Sequence, residues 1–134
     1  MAANFEVYVD ELFKHTPDSS YLAGYQEFVA NLASNRSMKD FESKLLTSGL
    51  GLAGEGGECA DAIKKVVFHG GEFDQEKYIK ELGDILWYIA FSANMLGVTI
   101  ESIIAKNMVK LKDRYKGGVF TVEEFKAKEA RKGE

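Results

Sequence analysis

At 134 residues, 46% of them hydrophobic, the chain is long enough to bury one ordinary core and too short to be expected to hold two. A net charge of -4 and a pI near 5.3 argue against general nucleic-acid binding. Cys59 is the only cysteine, which rules out an intramolecular disulfide and suits a reducing compartment. No basic start followed by an apolar run opens the sequence, and the longest apolar stretch, Ile85 to Val98, is interrupted by Ser92 and Asn94 and is shorter than the roughly 20 residues of a bilayer span. A soluble, cytoplasmic protein without membrane contact is therefore expected.

In chain order, Pro17-Asp18 marks a boundary, with Asp18 or Ser19 as the cap of a first helix. Leu22, Tyr25, Phe28, Val29 and Leu32 recur at helical spacing, which predicts that helix from Tyr21 to about Leu32. Asn35-Arg36-Ser37 breaks it. A second helical pattern runs from near Met38 to Phe68 and carries Phe41, Leu45, Leu52, Cys59, Ile63 and Val66. Gly49, Gly51, Gly54, Gly56 and Gly57 fall inside it, each costing about 1 kcal/mol against alanine in a helix interior. Either the helix breaks near Gly49 or another helix or a ligand comes close to the backbone; close approach, with room for a kink, is the favoured expectation. Gly49 to Gly54 also matches G-x-G-x-x-G, but no strand and no βαβ unit surrounds it, so the dinucleotide reading is rejected.

The turn His69-Gly70-Gly71-Glu72-Phe73 separates this segment from a third helix, capped by Asp74 and running to about Leu96. That helix is apolar on nearly every face, which a bundle this small can hardly cover, so self-association is expected. Gly97 ends it, and Thr99 opens a fourth helix with Ile100, Ile103, Ile104, Met108 and Leu111, to about Tyr115. Gly117-Gly118 closes that helix, and Thr121-Val122-Glu123-Glu124 has the form of a capping box for a short tail helix. The prediction is an all-α antiparallel bundle of about four main helices, completed by oligomerisation.

Two carboxylate pairs carry the chemistry. Glu55 with Glu58, and Glu81 with Asp84, are each spaced three apart and so share a helix face. Their midpoints lie symmetrically about His69-Gly70. If the flanking helices fold back there, all four acids reach one level, roughly 18 to 20 Å from the turn at 1.5 Å per residue. Acids crowded at one level repel unless a cation sits among them, which points to a divalent metal. All-oxygen ligands favour magnesium, manganese or calcium over zinc. An isolated Glu-x-x-Glu is more often a surface pair; here the second pair lies in a helix without a clear solvated face, which turns the balance. On the fourth helix Asn107, Lys110 and Arg114 share a face. They either complement the helix dipole or clamp phosphate. Trp87 and Tyr88 read as core aromatics rather than a base-stacking pair. His15 and His69 stand alone, and Cys59 reads as small core filler.

With these residues in order, the sequence resembles the MazG-type nucleotide pyrophosphohydrolases of the all-α NTP pyrophosphatase superfamily. The resemblance rests on Gly51-Leu52-x-Gly54-Glu55-x-Gly57-Glu58 with Asp61 and Lys64-Lys65, on Glu81-Leu82-Gly83-Asp84-Ile85-Leu86-Trp87-Tyr88, and on Asn107-x-x-Lys110-Leu111-x-x-Arg114-Tyr115. It covers about residues 21 to 118. It implies a helical homodimer or homotetramer and magnesium-dependent cleavage, with manganese as a substitute, of nucleoside triphosphates to monophosphate and pyrophosphate. Glu55, Glu58, Glu81 and Asp84 would be the catalytic metal ligands, and Lys65, Asn107, Lys110 and Arg114 the phosphate-side residues. Gly54 stands where many members carry a further acid, so one candidate base is missing. Lys116-Gly117-Gly118-Val119-Phe120 replaces the usual closing segment. The rival expectation is a non-catalytic helical oligomer whose acids form an inter-subunit cation site or a docking surface.

Overall fold

A computed structural model describes residues 21–34 and 39–132. The Pro17-Asp18 boundary, the Ser19 cap, His15 and the break at Asn35-Arg36-Ser37 lie outside the described residues. The described residues are all-α: α1 (Tyr21–Ala33), α2 (Phe41–His69), α3 (Gln75–Leu96), α4 (Ile100–Arg114) and α5 (Val122–Lys132). Two compact units follow one another, the first ending at Ile100 and the second beginning at Glu101. Among the described residues no single helix is long and apolar enough to cross a membrane.

Local chemistry sets the ends of the long helices. Asp40 caps α2, its carboxylate accepting from the Ser43 amide at 2.8 Å and from the Ser43 hydroxyl at 2.9 Å. Gly70 ends α2 with φ 66°, a left-handed geometry that glycine adopts without steric cost. Asp74 then caps α3 by accepting from the Lys77 amide at 2.9 Å, and Gly97, again at φ 66°, closes it. α2 is one uninterrupted helix of 29 residues through all five of its inner glycines. The expected close approach occurs at Gly51, where an added Cβ would run into the Tyr88 ring; Gly49, Gly54, Gly56 and Gly57 face open space.

In the first unit α2 and α3 form an antiparallel hairpin and α1 packs on α3. The core is carried mainly by α3, through Ala90, Phe91 and Ala93, with Val29, Cys59 and Ile100 joining it. Trp87 stacks on Phe91 with ring centroids 5.6 Å apart. Ser48, the buried polar residue of the unit, meets the Ser92 hydroxyl at 2.5 Å, and Ser92 donates to the Tyr88 carbonyl at 2.6 Å. Gln26 of α1 ties down the turn after α3: its side chain donates to the Val98 carbonyl at 2.7 Å and accepts from the Ile100 amide at 3.1 Å. Asn94 returns a bond to the Gln26 carbonyl at 2.9 Å.

This small core leaves large apolar side chains outside. Phe41, Leu45, Leu46, Leu50, Val67 and Phe68 of α2, and Ile79, Leu82 and Leu86 of α3, are exposed in the single chain. Exposed apolar faces of that extent are unusual on a soluble monomer. The expected result of sedimentation equilibrium at micromolar concentration is a homo-oligomer; a monodisperse 14.9 kDa species would refute it.

Candidate metal centre

Two helices position the acids. Folding α3 back on α2 places Glu55 opposite Asp84 and Glu81, and a carboxylate oxygen from each of the three comes within 4.8 Å of the others. Glu55 and Glu81 are half-buried and Asp84 is exposed. Glu58, one turn further along α2, is exposed and stands outside this group of three. Its charge is nevertheless felt there. The Glu55 carboxyl is held above its ordinary value, first by burial and then by the charges of Asp84, Glu81 and Glu58.

On α1 the Tyr25 phenol is pushed up by burial and by the Asp84 charge, an influence the sequence did not show. Its helical spacing had marked it only as a core residue, because spacing within α1 carries no information about which neighbour α1 meets. Lys65, expected on the phosphate side, is held by Asp61, which also holds Lys64; both N···O distances are 2.5 Å. The two lysines depress the Asp61 carboxyl to about 2. Both pairs are solvent-exposed, so they are screened and contribute little to stability.

Three carboxylates that repel one another, all oxygen donors, fit a hard divalent cation. The second unit carries the remaining sequence candidates. Asn107, Lys110 and Arg114 occur on one face of α4, and Lys110 and Arg114 line a cleft that α4 forms with α5. Asn107 is exposed and is not part of that lining.

The described residues thus form a helical hairpin that gathers three carboxylates from two helices. The chain belongs to the MazG nucleotide pyrophosphohydrolase domain family, whose model matches residues 41–119. A curated relative, "Gene 37 protein" of Mycobacterium phage L5, is 39% identical over 74 residues, covering 52% of this chain and 65% of the relative. The match thus spans somewhat less than two thirds of the relative's length. No solved structure matches the chain.

Proposed function

We propose that the protein is a magnesium-dependent nucleoside triphosphate pyrophosphohydrolase, with manganese able to replace magnesium, and that it works as a homodimer or homotetramer. The observation that carries this reading is the convergence of Glu55, Glu81 and Asp84 from two helices, in a chain of this family. Glu58, three residues on along the same helix, is the fourth ligand in this reading. A bound divalent cation would polarise a phosphate oxygen and acidify a nearby water. The carboxylates hold and orient that water. One of these carboxylates accepts a proton as the water oxygen bonds to the α-phosphorus. The bond from that phosphorus to the bridging oxygen breaks, and pyrophosphate leaves with the electron pair. Lys110 and Arg114 stabilise charge on the phosphate chain, and Lys65 and Asn107 stand as further phosphate-side residues. A cytoplasmic setting, where nucleotides and magnesium are plentiful, suits this chemistry.

The direct test is product analysis across a panel of ribo- and deoxyribonucleoside triphosphates, with and without magnesium. Equal amounts of monophosphate and pyrophosphate are expected. Diphosphate with orthophosphate would refute the assignment of the bond. Lys110→Ala and Arg114→Ala are expected to reduce kcat/KM by one to two orders of magnitude, about 1.4 kcal/mol per tenfold, with the helical circular-dichroism signal intact. Wild-type kinetics in both variants would leave these cations as dipole complements only.

A further inference from the structure

The family match ends at residue 119, and α5 lies wholly beyond it. The tail helix is nevertheless built onto the end of α4 rather than left free. Gly118, at φ 77°, turns the chain and donates to the Tyr115 carbonyl at 2.9 Å. Thr121 then caps α5: its hydroxyl accepts from the Glu124 amide at 3.2 Å and donates to the Glu124 carboxylate at 2.9 Å. A ladder of rings runs along the connection into α5, Tyr115 to Phe120 at 5.4 Å and Phe120 to Phe125 at 6.1 Å.

The result is a cleft of about 410 Å³ between α4 and α5. Lys110, Arg114 and Lys116 line it from the α4 side, and Lys128 and Arg131 from α5, against two acids, Asp113 and Glu124. None of the five cations is ion-paired among the described residues. Dipole complementation explains basic residues in the last turn of each helix separately. It does not explain why two helices from different segments turn their cations toward the same space. Lys128 is half-buried there, and its ammonium is pushed below the ordinary lysine value by burial and by the charges of Arg114, Lys132 and Lys110, with Glu129 acting the other way. Such crowding costs free energy unless an anion fills the cleft.

We infer that the α4–α5 cleft binds a diphosphate group, with Lys128 and Arg131 of the tail helix supplying half of the grip alongside Lys110 and Arg114. An excess of three positive charges is matched by a diphosphate and only partly by a monoanion, and the volume falls in the roughly 300–1,000 Å³ range of small-molecule sites. The group is either free pyrophosphate or part of a nucleotide. This inference deepens the proposed hydrolase reading by naming the phosphate group that the α4 cations take, and it rests on that reading only for the biological source of the ligand.

The test is calorimetric titration of the full chain with inorganic pyrophosphate in EDTA, where no divalent cation and no turnover intervene, repeated with a non-hydrolysable nucleoside triphosphate. Wild type should bind pyrophosphate saturably. Lys128→Ala and Arg131→Ala should each weaken it about 10-fold or more, while Lys132→Ala, whose ammonium pairs with Glu129 at 3.1 Å, should stay within about twofold of wild type. Tighter binding of the nucleotide than of pyrophosphate would assign the cleft to substrate, and the reverse order to product. Absence of saturable binding by wild type overturns the inference. So does equal weakening by Lys132→Ala, which would show general charge attraction. The two readings fail separately: an inactive protein whose pyrophosphate affinity depends on Lys128 keeps the cleft and loses the hydrolase, whereas an active enzyme indifferent to Lys128 and Arg131 does the opposite.

Discussion

Replacing Glu55, Glu81 or Asp84 by its amide is expected to lower triphosphate hydrolysis by two orders of magnitude or more, equivalent to about 2.7 kcal/mol of barrier. Each of Glu55→Gln, Glu81→Gln and Asp84→Asn keeps the side-chain shape and removes one charge from a group whose oxygens already lie within 4.8 Å of one another. Glu58→Gln is expected to join them, since its charge already acts on Glu55. Stability should move the other way. Without metal the acids only repel, so the amide variants should unfold at the same temperature as wild type or higher. With magnesium added, wild type should gain by mass action, about 2.7 kcal/mol at a concentration 100 times Kd, and the variants should gain less. Steady-state kinetics together with thermal unfolding in EDTA and in magnesium separates these effects. Undiminished activity in all four variants would remove the site altogether.

The second large effect is expected at Gly51. An alanine methyl there would penetrate the Tyr88 ring, which is itself packed edge-on against Trp87 with centroids 5.0 Å apart. Overpacking of this kind costs about 1–3 kcal/mol, so Gly51→Ala should melt several degrees below wild type. Because Glu55 lies one turn further along α2, separation of the helices at Gly51 should also reduce activity. Gly56→Ala provides the contrast: nothing lies within 4 Å of the added carbon, and the helix should gain up to about 1 kcal/mol. Thermal unfolding followed by circular dichroism reads both. A Gly51→Ala protein as stable as wild type would mean that the interhelix contact at Tyr88 contributes nothing.

The ends of α3 and the start of α5 were legible, but the Asp40 cap that starts α2 at Phe41 rather than near Met38 was not. Asp74, Gly97 and Thr121 each stand where their side chain, or lack of one, satisfies the backbone of the adjacent turn, and the helices begin and end there. The meeting of Glu55 with Glu81 and Asp84 was also legible, because a turn position and the helical pitch fix the height of any residue on either arm. Information that depends on a third helix was not. The influence of Asp84 on Tyr25 requires knowing how α1 docks, and the choice of Gly51 among five glycines requires knowing which side of α2 meets α3. The exposed position of Glu58 is likewise a matter of helix rotation, a fraction of a turn finer than spacing resolves.

The contact between Ser48 and Ser92 bears on the acids two turns away. Apolar side chains along two antiparallel helices tolerate sliding, since one leucine can replace another after a shift of one turn. A hydroxyl pair does not: slippage would strand Ser48, which is buried, without its partner, at a cost of about 1–3 kcal/mol. From Ser48 to Glu55 is seven residues along α2, and from Ser92 back to Asp84 is eight along α3, so the offset enforced at the serines is the one that lets the carboxylates face each other. The two hydroxyls act as an index mark, and the alignment of the charged groups is inherited from an uncharged contact about 10 Å away along the helix.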